Sequence, residues 1–478
     1  MRSGGQVNGT AGTFGHRLVL PALPQVLYTL DVPRDARARL ALNWIVLGLV
    51  ALIGAGVFSA LLVASRTPFV QSVFPLVDFF RVALVVHVDL SVLVWFLAFA
   101  GALWSLNSTR RWMPLGWTAL AACALATLMM VIAPFVGQPV PIMSNYIPVL
   151  DSPLFRWSLV VFAAGVAAVL LRGMGAVPKV GAQLDGAGVL RFGLNAAAIS
   201  AAVALGAFIW SWLAVPPALD GKAYYELLFW GGGHVLQFTW TLLMFAAWLW
   251  LAGEGGCPIP LTPRVTLLLF AITLAIVFLT PVIYLAHDVT SVEHHKLFTW
   301  QMRFGGGLTI LPMALAVVIA LARAAPARAE EKPLRAALIM SLALFAFGGL
   351  IGVGIDGSNV KVPAHYHGSI VGVTLAFMGV VYLLLPRLGF ASPPSRAAAL
   401  QCWLYGAGQM LHITGLVWSG GYGVQRKVAG AEQGLDAIEK IAGMALMGFG
   451  GLVAVIGGLM FLVIVLRVLA RGRTGAPR

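Results

Sequence analysis

Polar residues recur along this chain at intervals, and between them the sequence runs for about twenty residues at a time with no charge. Read between polar or Pro/Gly-rich breaks, the apolar segments are 39–64, 77–105, 113–137, 152–174, 191–213, 223–252, 265–288, 298–323, 335–355, 362–388, 399–420 and 438–467. Each is long enough to cross the roughly 30 Å hydrocarbon core of a bilayer as an α-helix. The pattern predicts an all-α polytopic membrane protein, with about twelve transmembrane helices across 39–467 and tails over 1–38 and 468–478. No repeat of fixed period and no second soluble domain interrupts it.

Composition and charge add an orientation. Of 478 residues, 60% are hydrophobic and 10% charged, so lipid rather than water is the solvent. With the first span starting inside, 21 basic residues fall in inner segments. Only seven fall in outer ones: Arg66, Lys222, Lys296, Lys361, Arg426, Lys427 and Lys440. That asymmetry puts both termini in the cytoplasm, as expected for a bacterial or archaeal inner-membrane protein. It also accounts for the net charge of +14 without a nucleic-acid partner, because basic residues mark topology and meet anionic headgroups. The first 38 residues lack the basic-then-apolar order of a cleavable signal and read as a cytoplasmic tail. Cys123, Cys257 and Cys402 have no disulfide or zinc spacing, and no Cys-x-x-Cys-His is present for a covalent c-type heme.

Histidine inside a bilayer is costly unless it is paired, ligated or facing water. In this topology His87, His234, His287, His365 and His367 come from four spans, yet all fall in the outer half of the membrane. His412 in the eleventh span reads as a helix-to-helix hydrogen bond, and His16 as a solvated tail residue. His365 and His367 are two apart, about 200° around a helix, so one helix can serve a different cofactor on each flank. Imidazole in an apolar bundle suits heme iron or a copper or iron ion. For the segment "YLAHDVTSVEHH" (284–295) two metal-binding readings stand: the pair His294-His295, or His287 with Asp288.

A resemblance bears on that choice. "VPAHYHGSIVGVTLAFMGVVYLLLPRLG" (362–389) resembles helix ten of the heme-copper oxidase superfamily, B-type members especially. "FWGGGHVLQF" (229–238) is similar to the helix-six segment that supplies a copper ligand, and "QRK" (425–427) to the basic pair that binds heme propionates. "TPV" (280–282), "HD" (287–288) and "TWQM" (299–302) follow the order of the B-type Thr-Pro-Val, His-His and Thr-Trp-Lys-Met. The resemblance implies two b-type hemes, one low-spin between His87 and His367 and one high-spin on His365, with Arg426 and Lys427 at the propionates. It implies a second metal on His234 and the helix-seven pair, which its spacing assigns to His287 and Asp288. His294 and His295 are then expected in an outer loop.

Two departures from the family's pattern shape the expected reaction. A carboxylate beside two imidazoles is a donor set for non-heme iron, although copper binds such sites strongly too. Family oxygen reductases of the A and B types carry a tyrosine four residues after the helix-six ligand, which donates an electron and a proton during O–O cleavage. The matching residue here is Phe238. Both departures point to reduction of two NO to N₂O and water by the catalytic subunit of a membrane nitric oxide reductase. The alternative is a terminal oxygen reductase, a cytochrome c or quinol oxidase, for which Tyr284 would be the candidate phenol. A secondary transporter is disfavoured by the paired histidines. Asp78, Asp89 and Glu226 are candidate proton carriers on the outer side. With no electron-entry motif in the chain, a partner subunit carrying heme c or dinuclear copper is expected near Arg426 and Lys427.

Overall fold

Twelve helical rods follow one another in the computed structural model, which describes residues 24–73, 79–178 and 184–474. Arg2, His16, Arg17, Asp78, Lys179 and Arg478 lie outside the described residues. The rods are α1 Ala36–Arg66, α2 Phe80–Leu106, α3 Met113–Phe135, α4 Pro153–Gly175, α5 Gly186–Ala214, α6 Gly221–Glu254, α7 Pro263–Ala286, α8 Val292–Arg323, α9 Lys332–Val353, α10 Lys361–Arg387, α11 Ser395–Gly421 and α12 Ile438–Ala470. Among the described residues, all but α11 are long and apolar enough to span a membrane. The 27 residues of α11 include Gln401, Gln409 and His412, which lower its hydropathy without shortening it. An even number of crossings returns the chain to the face it started from, here called the tail face.

Helix starts follow local chemistry. Asp35, Ser152, Asp185, Thr262 and Ser291 each accept a backbone N–H of the first turn, satisfying a donor that the helix leaves orphaned. Burial separates the centre of the bundle from its rim. In α6 and α10, 94% and 89% of the most apolar stretch is inside the protein, against 28% for α8 and 33% for α12. The two helices with the most prominent histidine motifs are therefore central, and the lipid-facing helices surround them.

Two rods contain a π-helical turn, Asp89–Val94 in α2 and Gln301–Gly306 in α8. Such turns are rare and often mark functional sites. The link between α3 and α4 is a hairpin on the face opposite the tails. Strand β1 (Val140–Ile142) pairs antiparallel with β2 (Val149–Asp151), with Pro141 opposite Leu150. Its tip, residues 143–148, folds over the bundle towards His234.

Candidate functional site

The first cluster lies among α2, α10 and α11. His87 on α2 has Nδ1 3.0 Å from the carbonyl oxygen of Ala55 on α1. A carbonyl only accepts, so Nδ1 carries the proton and the lone pair is left on Nε2. The same logic holds for His365 on α10, whose Nδ1 donates to Gly348 O at 2.7 Å. A backbone oxygen thus fixes the tautomer that offers Nε2 to a metal. His367, on the other flank of α10, sits near His87, Gln409 and His412, with its ring centroid 4.8 Å from that of His412. Asp89, two residues past His87, is buried with no hydrogen-bond partner for either carboxylate oxygen.

The second cluster is built around His234 on α6. Its Nδ1 donates to Trp230 O at 2.8 Å, and its Nε2 accepts the Tyr146 hydroxyl of the hairpin at 2.8 Å. The run Gly231-Gly232-Gly233 makes room for neighbouring rings. A Cβ at Gly233 would overlap the Tyr146 ring, and one at Gly231 would overlap the Tyr284 hydroxyl. Tyr284 donates to Ala207 O at 3.0 Å, and Ser211 Oγ is 2.7 Å from its hydroxyl.

Around His234 the structure brings His294 and His295 rather than Asp288. The Trp230 ring packs on both, its centroid 4.7 Å from that of His234 and 4.7 Å from that of His295. His294 is fully buried, its ring 4.9 Å from those of Tyr284 and Phe298, and neither of its nitrogens has a hydrogen-bond partner. A buried imidazole left unpaired on both sides is costly, and a metal ion is one partner that would relieve it. Among the described residues no three His, Cys, Asp or Glu side chains already converge as a closed metal site. Binding by this cluster therefore requires the rings to turn inward.

This arrangement differs from the sequence expectation in one local respect. Helix α7 ends at Ala286, and His287 caps it in an extended conformation. Asp288 is exposed, and its carboxylate accepts the Thr290 N–H at 2.8 Å and the Thr290 hydroxyl. Those bonds from Thr290 hold its carboxyl below the usual range. Ser291 then caps α8, so His294 and His295 sit in the first turn of a helix and not in an outer loop. The turn satisfies Asp288 at the surface. His287 and Asp288 lie near His294, while the imidazoles that act on His234 are His294 and His295.

Over the site, Asn145 in the hairpin ties three elements together. Its backbone N–H donates to Glu226 at 2.9 Å, its side-chain amide also reaches Glu226, and its Oδ1 accepts from Arg426 at 3.4 Å. Lys427 Nζ donates to Met143 O at 2.7 Å. Burial, reinforced by Arg426, pushes the Lys427 ammonium down to about 8. Burial likewise holds the Tyr146 phenol well above its ordinary value. Arg426 and Lys427, the expected propionate pair, thus pack on the hairpin that covers His234, and sequence reading missed Tyr146, which meets His234 only through tertiary folding.

A bundle of membrane-length helices with histidines gathered between its central rods defines an integral membrane protein. The chain belongs to the heme-copper oxidase subunit I family: residues 39–460 match the family described as Cytochrome C and Quinol oxidase polypeptide I. Members of that family are membrane oxidoreductases that bind hemes and a metal centre. An uncharacterized protein of Rickettsia prowazekii is 28% identical over 89% of this chain and 95% of its own length. One from Aquifex aeolicus is 26% identical over 73% of this chain and 85% of its own. A heme-copper terminal oxidase dimer solved by cryo-EM is similar in fold, with a TM-score of 0.69 at 14% identity over 93% of this chain and 86% of that one.

Proposed function

We propose that the chain is the catalytic subunit of a membrane oxygen reductase, reducing O₂ to water with electrons from a partner subunit. The observation that carries this reading is the buried, unpaired His294 beside His234 and His295, with the Tyr284 ring 4.9 Å away. His87 and His367 would hold the low-spin heme, His365 the high-spin heme, and His234, His294 and His295 a second metal, with copper favoured by an all-imidazole set. When bound, these groups supply the electron relay and the polarised gas-binding site. His87 and His365 present Nε2 because a backbone carbonyl holds the proton on Nδ1. Tyr146 and Tyr284 are phenols against the metal-site histidines, able to give the proton and electron that O–O cleavage takes beyond those of the metals. Arg426 and Lys427 would pair with heme propionates. Both termini would lie in the cytoplasm of an inner membrane.

A second reading, reduction of two NO to N₂O and water, is favoured by Phe238, buried one turn past His234 where A- and B-type oxygen reductases carry tyrosine. That reaction takes only two electrons and two protons and asks nothing of a phenol. Its other support, a ligating carboxylate, is weakened by the outward turn of Asp288. Headspace analysis of the purified, reduced complex given O₂ and NO separately tests the choice. Rapid O₂ uptake with little N₂O supports oxygen reduction; N₂O formation with negligible O₂ uptake overturns it in favour of NO.

A further inference from the structure

We infer that the low-spin site offers three imidazoles for two axial positions, and that His412 is a standby ligand able to take the place of His367. This rests on the heme reading above.

His412 is buried on α11, and its ring centroid is 4.8 Å from that of His367 at an interplanar angle of 61°. Both rings lie near His87. Its Nδ1 is 3.0 Å from Met447 O on α12, and since that oxygen only accepts, the proton is on Nδ1 and the lone pair on Nε2. His412 is therefore in the same ligand-ready tautomer as His87 and His365, fixed in each case by a backbone carbonyl from a different helix. The position is held by close backbone packing: a Cβ at Gly450 of α12 would overlap the His412 backbone nitrogen.

A hydrogen bond between α11 and α12 explains only half of this ring. That contact uses Nδ1 alone and could be made by any donor of similar reach. It does not call for a second nitrogen lone pair beside the residue that the family pattern assigns as axial. Exchange of one neutral imidazole for another conserves charge and leaves the low-spin state intact, so the exchange needs no further reactant.

The test is spectroscopic. Low-temperature EPR of the oxidised protein, with heme content, is recorded for wild type, His367→Ala, His412→Ala and the double variant. The expected result is that His367→Ala keeps both hemes and a bis-imidazole low-spin signal, which the double variant loses. Conversion of the low-spin heme in His367→Ala to a high-spin form, or its loss while the other heme stays, would overturn the inference. Should His367→Ala fail to accumulate in membranes, His367→Met decides: a bis-imidazole signal supports the exchange, and a His/Met signal contradicts it. Wild-type protein with no Soret absorption would instead remove the heme reading itself.

Discussion

The Tyr146 hydroxyl donates to Nε2 of His234 across 2.8 Å, joining a surface hairpin to the centre of the bundle between residues 88 apart in sequence. Because Trp230 O takes the proton on Nδ1, the phenol occupies the one lone pair that His234 would offer a metal, so metal binding there would displace this bond. The approach depends on Gly233, since any Cβ there would meet the Tyr146 ring.

Gly233→Ala is therefore expected to displace the hairpin and lower the unfolding temperature, and the loss should shrink when Tyr146→Ala is present in the same chain. The coupling between the two substitutions should be on the order of 0.5–3 kcal/mol. A double-mutant cycle read by thermal unfolding measures it; strictly additive effects would show that the two residues do not meet.

If a phenol supplies the extra electron and proton of O–O cleavage, Tyr284→Phe should cut O₂ reduction by about 10²-fold or more, the usual scale for loss of a positioned proton donor. The same variant should keep its heme content and any NO turnover. Steady-state O₂ uptake with the natural or an artificial donor checks this, and unchanged uptake would assign the role to Tyr146 or to neither.

Lys427 gives a pH signature. Its pKa in the fold is about 8 against an ordinary 10.5, with burial the main cause. Between those values the unfolded chain binds more protons than the folded one, so this residue makes stability rise with pH across the window. Wild type should gain on Lys427→Met in thermal stability from about pH 8 to about pH 10, as the cost of the buried charge fades. A constant difference between the two would show that Lys427 is not held down.

Much of the bundle was legible in the sequence because membrane helices must satisfy their own backbone, so apolar length maps directly onto structure. The first span, read as 39–64, is the helix Ala36–Arg66, and the tenth, read as 362–388, is Lys361–Arg387. His367 on α10 lies near His87 on α2, and His365 on the other flank of α10 meets Gly348 of α9. The seventh-to-eighth connection was less legible. A polar stretch rich in Thr, Ser and charged residues reads as loop, yet Ser291 caps a helix and Glu293 sits in its first turn, a start signal present in the sequence. Spacing pointed to Asp288, and the burial of His294 became visible only in the fold. Tyr146 had no local signal, since it acquires its meaning only when the hairpin packs on Gly233.

On the proposed function, His294 rather than Asp288 would complete the metal site at His234. Its most direct test is the non-heme metal content of purified His294→Ala and Asp288→Ala, measured by elemental analysis against heme iron. His294→Ala is expected to lower retained second metal by more than about tenfold with both hemes present, in keeping with the cost of perturbing a metal shell, while Asp288→Ala retains it. Loss of the metal from Asp288→Ala with full retention in His294→Ala would exclude His294 as the ligand and return the carboxylate to the site.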